Sequence, residues 1–392
     1  MIRLAAVQDT SQIRDLWNYC FDDTPEFVNF FFQACYQADN ALVVEEEGRI
    51  QSCLQILPYR MILRDREIPI SYIVGVATWP EYRGQGLIKR LLQFADKVLQ
   101  DRGIYQSILL PFQYDFYRKY GWEVCYDFLT YRTLDVPSFN FLKTNTSVSR
   151  STRGKFIRVD HEDDFDKLTK CYHQYMKPFN GYLLRGKKEW HKTIHDVMLD
   201  RGACYLYEEN EKPLGYVIYT LRDRKLHISE LIHLSNGAKT ALLQLALSHA
   251  GQVEQVSRKA PSWDMDYLHM QDSRGKLEKE TFVMGRIHSV VETLSGLPYT
   301  GDIFVVKVED NFYENNNGTF LIGQTNGVSL VTRTDQEPDV IIDIRTLNQL
   351  LWGYLSPEIA LVEERVHFIN KNILNNIELL FPKKYNYMTE DF

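Results

Sequence analysis

The spacing of apolar positions changes several times along the chain, and each change marks an element. Residues 2–6 predict a short strand. Residues 10–20 predict a helix with Thr10 as its N-cap, and residues 24–36 a second helix with Pro25 in its first turn. Residues 41–45 and 50–57, joined through Glu47-Gly48, read as strands. So do residues 62–63 and the long apolar run 68–78. From residue 85 to 100 the period becomes that of a helix. Leu87, Ile88, Leu91, Leu92, Ala95, Val98 and Leu99 form one stripe, and Gly103 stops it. A strand at 104–110, a short helix at 114–120 closed by Gly121, and a strand at 124–132 complete one mixed α/β domain.

Ser, Thr and Asn dominate residues 134–154, which read as a linker or exposed loop. The pattern then partly restarts. A strand is predicted at 156–159, helices at 162–172 and 187–198, strands at 203–208, 215–219 and 225–234, and a helix at 238–249 after Asn236-Gly237. The order is a weak internal repeat of the first domain. From residue 287 the chain changes again. A helix at 287–294 leads into short strands at 303–308, 319–322, 328–331 and 340–344, with helices at 347–353 and 370–381. This reading expects domains at 1–140, 155–285 and 286–392.

Composition narrows the function classes. The chain has 392 residues and a formal net charge of -7, so a dedicated nucleic-acid binder, which carries a basic excess, is disfavoured. The 24 Tyr and 21 Phe favour large, partly polar pockets or broad subunit interfaces. Six cysteines are scattered without a C-x-x-C pair, which argues against a disulfide framework or zinc ribbon and for a reducing cytoplasmic setting. The first residues meet Asp9 before a secretory apolar region forms, and no apolar run reaches the length of a membrane span.

The sharpest chemistry is in Val74 through Ile88. A buried strand stops at Pro80, and an Arg/Gly turn then opens an amphipathic helix. Gly84 and Gly86 let backbone approach a ligand closely, and the N–H groups at the helix start form an anion site suited to a pyrophosphate. Gly-Leu-Ile follows the turn where a Walker loop requires Gly-Lys-Ser/Thr, and the three spaced glycines of a dinucleotide loop are missing. Residues 1–160 contain no histidine. Acid–base chemistry confined there must use Tyr, Asp, Glu, Cys or Lys, which excludes a Ser-His-Asp triad and removes the usual zinc ligand. His191 and His195 share a helix face without a visible third ligand, so a metal is not expected.

Arg83-Gly84-Gln85-Gly86 resembles the acetyl-CoA motif of the GNAT acyltransferases, with a family-like lead-in from Val76 to Arg83. Ile88 departs from the small residue at the last motif position. That departure, with Leu87-Ile88-Lys89-Arg90, resembles the Eis branch, a family of aminoglycoside N-acetyltransferases. The resemblance implies two tandem GNAT folds, each a mixed central sheet flanked by helices, followed by a sterol-carrier-like α+β domain. It implies acetyl-CoA as acyl donor, held by Val76, Ala77, Thr78, Arg83, Gly84, Gln85, Gly86, Leu87, Ile88 and Lys89, together with Phe112 and Gln113.

The segment Asp115 to Trp122 resembles the family's acid motif, which places the general acid at Tyr117; Trp122 is a mild departure. The resemblance also implies that the terminal α-carboxylate, at Phe392, acts as general base, and that Asp22, Asp23 and Glu26 line an acidic substrate pocket. Ser235-Asn236-Gly237-Ala238 stands where the second domain would repeat the motif, without its arginine and second glycine, so that domain is expected to have lost CoA binding. A ring-like hexamer is implied by the resemblance alone. The expected activity is transfer of acetyl to a primary amine of an aminoglycoside-like or other polycationic acceptor. The competing readings are a protein lysine acetyltransferase and a non-catalytic acyl-CoA or lipid sensor.

Overall fold

The computed structural model describes residues 1–133, 154–269 and 276–390. The chain divides into two compact units, 1–126 with 180–183 and 282–392, and 127–179 with 184–281.

The first unit holds two sheets. The larger runs in the order Ile2–Leu4, Ala41–Glu46, Arg49–Leu63, Arg66–Thr78, Gln106–Leu109, Met284–Ile287 and Glu123–Val124, and Tyr182–Leu183 also pairs with Arg49–Leu63. All pairs are antiparallel except Arg66–Thr78 with Gln106–Leu109. The helix Leu87–Asp101 covers one face. Its predicted stripe of Leu87, Leu91, Leu92, Ala95, Val98 and Leu99 is buried against Leu42, Val44, Leu54, Ile56 and Ile73. Each buried leucine or valine of the stripe contributes about 1.5–3 kcal/mol on leaving water. The other face carries the helix Thr10–Cys20, whose Ile13 and Leu16 pack on Ala41, Val43 and Cys53. The predicted second helix is Pro25–Phe30, capped by the Thr24 side chain and continued by one wider turn over Phe31–Cys35.

The second sheet of this unit runs in the order Val328–Arg333, Gly318–Thr325, Phe304–Glu309, Val340–Asp343 and Val366–Phe368, with the helices Val290–Leu294, Ile344–Leu351, Pro357–Val362 and Leu374–Leu380. A polar knot fixes the segment that follows the last helix. Asn180 donates to Asn386 Oδ1 (2.7 Å) and to Trp352 O (2.9 Å), and Asn386 donates to Cys125 O (2.8 Å). Buried Arg64 donates to Leu351 O and to Pro382 O, both at 2.7 Å. Tyr387 and Met388 are buried.

The second unit is one sheet ordered Lys276–Thr281, Asp127–Thr133, Gln255–Pro261, Lys225–His233, Lys212–Arg222, Gly202–Glu209 and Gly154–Arg158, with helices Phe165–Met176, Lys187–Leu199 and Asn236–Leu247. Here too only one pair is parallel, Lys225–His233 with Gln255–Pro261.

Several elements differ from expectation. The strand expected at 124–132 is two strands, because Cys125 N and Tyr126 O bond Val283 O and Phe282 N before the chain continues into the second unit's sheet. The helix expected at 287–294 is the strand Met284–Ile287 followed by the helix Val290–Leu294, capped by Ser289. Gln255–Pro261 and Lys276–Thr281 are strands that no apolar period announces. The expected linker at 134–154 lies, apart from Gly154, outside the described residues.

Candidate active site

The site begins where two parallel strands part. Arg66–Thr78 and Gln106–Leu109 pair from Ser71–Ser107 to Ile73–Leu109, and the longer strand then continues alone on that side. A bulge lies at the same place. Cys53 faces Ala77 and Gln55 faces Val74, so the longer strand holds one extra residue around Gly75, whose φ is +59°. A side chain at 75 would collide with the Trp17 ring at 2.5 Å and with Gln55 Nε2 at 2.7 Å. Glycine is required there by both conformation and space. Val76 is half-buried, while Ala77 and Thr78 are buried. Ser52 Oγ holds the end of the strand, lying 2.8 Å from Ala77 O, to which it donates, and 2.7 Å from Thr78 Oγ1.

The strand runs into a turn of 3-10 helix, Pro80–Tyr82, and then into the loop Arg83 to Gly86. Gly84 and Gly86 have φ of +76° and +74° with open space around them, so the backbone conformation, not crowding, selects glycine. Arg83 Nε closes the loop by donating to Thr78 O at 3.1 Å. Gly86 is the N-cap of Leu87–Asp101, and no side chain caps that helix. Its first-turn N–H groups therefore point toward an exposed loop flanked by Arg83, Lys89 and Arg90. Positive helix end, backbone donors and exposed cations suit a polyphosphate. Leu87 is buried and Ile88 half-buried in the core, so these two anchor the loop by packing.

Tyr117 lies in the short helix Tyr114–Arg118 and is 2% exposed. Its ring sits among Phe116, Phe112 and Trp122, with centroids 5.1, 5.6 and 6.4 Å away. Burial pushes its phenol well above the ordinary tyrosine range, so the side chain stays protonated. Phe112 and Gln113 are exposed at the entry to this helix. Of the acids, Asp22, Asp23 and Glu26 are all exposed. Asp23 is tied to the bulge, because Trp17 Nε1 donates to Asp23 Oδ2 at 2.9 Å and the same indole packs on Gly75. Phe392 and its carboxylate lie outside the described residues.

Two features escaped the sequence. The Gln55 carboxamide is buried beside the bulge, and neither its oxygen nor its nitrogen has a hydrogen-bond partner among the described residues. An unpaired buried amide is costly, about 1–3 kcal/mol, which marks it as a group awaiting a partner. Its place in a run of buried strand residues hid it. The second is His288. The strand Met284–Ile287 delivers this histidine to a unit whose residues 1–126 have none. His288 Nε2 lies 2.6 Å from Ser107 Oγ and Nδ1 lies 2.9 Å from Asp96 Oδ1. The connectivity is that of a Ser-His-Asp triad, but Ser107 is fully buried and offers no approach to a substrate. Burial holds the His288 imidazole below its ordinary range, so it is neutral and ties the helix Leu87–Asp101 to the sheet.

His191 and His195 stack on the helix Lys187–Leu199 with ring centroids 6.3 Å apart. No metal-ligating cluster occurs among the described residues, and none of their helices is long and apolar enough to cross a membrane. None of the six cysteines is in a disulfide.

Comparison with known proteins bears on this geometry. An acetyltransferase (GNAT) domain family matches residues 1–125, a second acetyltransferase (GNAT) domain family matches 181–287, and a sterol carrier protein domain family matches 290–389. An S-alkylcysteine N-acetyltransferase of Bacillus subtilis (strain 168) is 28% identical over 145 residues, 32% of this chain and 80% of that protein. A probable N-acyltransferase from Enterococcus faecalis V583, described as a conserved protein of unknown function, has the same fold along its length. Its TM-score is 0.87 at 23% identity, covering 100% of this chain and 99% of that one. Eis1 from Mycobacterium abscessus shares the fold with a TM-score of 0.77 at 16% identity, with 100% of both chains covered.

Proposed function

We propose that this chain, which belongs to the GNAT N-acetyltransferases in the Eis-like arrangement of two GNAT domains and a sterol carrier domain, moves an acetyl group from acetyl-CoA to a primary amine by direct attack in a ternary complex. The observation that carries this reading is the uncapped helix start at Gly86, set beside a strand that parts from its parallel neighbour at Ile73. The donor supplies an acetyl group activated as a thioester. Backbone N–H groups from Gly84 to Lys89 hold its pyrophosphate, with Arg83 and Lys89 adding charge. Val76 to Thr78 offer backbone to the pantetheine, and Phe112 and Gln113 border its far end. The amine nitrogen forms the new N–C bond as the C–S bond breaks. The Phe392 carboxylate takes the ammonium proton, and Tyr117 gives its hydroxyl proton to the departing sulfur. The knot at Asn180, Asn386 and Cys125 supports the base assignment, because it holds the segment leading to residue 390 against the catalytic sheet.

The exposed Asp22, Asp23 and Glu26 support a polycationic acceptor of aminoglycoside or polyamine type. One observation favours a second reading, a smaller amine with an apolar arm. Trp17 stacks on Phe31 at 4.4 Å and meets Phe21 and Phe32 at 4.9 and 5.9 Å, beside Asp23 and the unpaired Gln55. The name of the Bacillus subtilis relative agrees with such an acceptor. Six cysteines outside any disulfide support a cytoplasmic setting, and the Eis-like arrangement supports a homo-oligomer, a hexamer in our reading, which light scattering would read. The test is CoA release with aminoglycosides, polyamines, S-alkylcysteines and lysine peptides, on wild type and a chain lacking Phe392. Turnover that collapses in the shortened chain, with acetyl-CoA still bound, is expected. Unchanged turnover removes the base assignment, and tight acetyl-CoA binding without turnover on any amine favours the sensor.

A further inference from the structure

We infer that a loop of the sterol carrier domain, residues 310–316, positions the proton-donating tyrosine through a buried Arg286–Asp310 pair. This rests on the acid role proposed for Tyr117. Arg286 stands on the strand Met284–Ile287 and is fully buried. Its Nη1 donates to Gly121 O at 3.1 Å, and its Nη2 donates to Asp310 Oδ2 at 2.5 Å. Gly121 ends the turn that carries Tyr117, with Tyr120 N and Trp122 N both bonded to Tyr117 O. A side chain at 121 would meet Arg286 Nη1 at 1.8 Å, so the turn is glycine because the guanidinium occupies that space.

Asp310 is equally buried and holds its loop around itself. It accepts from Phe312 N (2.9 Å), Tyr313 N (3.1 Å) and Asn316 Nδ2 (3.1 Å), besides Arg286. From this loop, Phe312 packs on Tyr120 with centroids 4.9 Å apart. Tyr313 lies under the Arg286 guanidinium at 4.5 Å and donates its hydroxyl to Leu92 O at 2.9 Å, on the helix that begins at Gly86. One loop thus grips both the acid turn and the phosphate-binding helix. The spacing between proton donor and leaving sulfur depends on those two elements. A cavity of about 380 Å³ borders the turn, lined by Arg118, Lys119, Gly121, Asp310 and Phe312, so packing alone does not fix the turn on that side. Arg286 and Asp310 are positioning residues, not catalytic ones. They act through Tyr117.

The test is a double-mutant cycle on the full chain, with kcat for CoA release counted per folded molecule by near-UV circular dichroism. Wild type, Arg286→Lys, Tyr117→Phe and the double variant are compared with tobramycin, spermine or S-methylcysteine as acceptor, whichever turns over fastest. Arg286→Lys keeps the charge but loses the two-pronged grip. We expect it to lower kcat about tenfold or more, since misplacements near 1 Å reach that size. The Kd for acetyl-CoA is expected to move less than about twofold. In the Tyr117→Phe background the same change should cost less than about twofold, because the residue it acts through is gone. Equal fold losses in both backgrounds overturn the positioning role and leave the acid role standing. Full activity of Tyr117→Phe overturns the acid role, and the positioning role with it. Absence of turnover with all three amines overturns the transferase reading beneath both. Should Arg286→Lys not fold, Phe312→Leu, at a half-buried position, runs the same cycle with an expected loss of about threefold and the same contradicting outcome.

Discussion

The two acetyltransferase domains build the same junction and treat it in opposite ways. In each, a long strand pairs in parallel with a shorter one, parts from it, and leads to a helix start: Leu87–Asp101 in the first, Asn236–Leu247 in the second. The first helix begins at a left-handed glycine with no side-chain cap. The second begins at Ser235, whose Oγ accepts from Ala238 N at 3.1 Å and so occupies the donor a phosphate would take. The openings differ as well. Beyond the last parallel pair, Ile228–Arg258, the second domain pairs its own charges. Arg185 grips Glu230 with two bonds of 2.9 and 3.0 Å, Arg258 meets Asp266 at 2.7 Å, and Lys239 meets Asp266 at 2.5 Å. The lesson is that the shared frame supplies the junction, and a few residues decide whether its helix start is left open or closes upon itself.

The comparison can be broken most severely at the proposed proton donor. Tyr117→Phe should lower kcat by about 10²–10⁴-fold, the usual span of acid–base assistance, with the Kd for acetyl-CoA unchanged. An equal rise in Kd would mean that Tyr117 binds and does not catalyse. Next comes Gly86→Val. A β-branched residue forced to φ of +74° costs about 1–2 kcal/mol or more, so acetyl-CoA should bind at least about tenfold more weakly. Gly237→Val, in the first turn of the second domain's helix, should leave that affinity alone. Gln55→Leu should raise the acceptor KM by about two- to tenfold, the worth of one hydrogen bond, with acetyl-CoA affinity intact. The smallest change is Ser235→Ala. It should remove about 1 kcal/mol of stability, read by thermal unfolding, without altering acetyl-CoA binding or turnover.

Acidity offers an independent check on the first domain. Burial holds His288 below its ordinary value, so the unfolded chain binds the proton more readily than the folded one. Stability is therefore full above about pH 6.5, the unfolded value, and declines as pH falls below it. His288→Gln should flatten that decline in a denaturant titration run at stepped pH. Tyr117 carries the opposite sign: burial raises its folded value, so its contribution is full below about pH 10, the unfolded value, and declines as pH rises above it.

Much of the candidate junction was legible because its signals are local. The stripe from Leu87 to Leu99 needs one period, and Gly84 and Gly86 need one turn. The divided strand at 123–133 was not legible, since its break is imposed by Phe282 and Val283, more than 150 residues away in the chain. Met284-Gly285-Arg286-Ile287 is too short, and too mixed in polarity, to show a period, so Arg286 and His288 were lost with it. Gln55 gave no signal either. A buried amide looks like an ordinary strand residue until its partners are counted. The acidic candidates were half legible: chain position finds Asp23, but only the Trp17 indole ties it to the bulge.

The central claim is that one junction per chain takes acetyl-CoA, and that it is the one at Gly86. Calorimetric titration of acetyl-CoA into wild type, Gly86→Val and Gly237→Val tests it most directly. The account predicts one site per chain, weakened about tenfold or more by the first substitution and untouched by the second. Two sites per chain, or a single site that responds to Gly237→Val and ignores Gly86→Val, would contradict it.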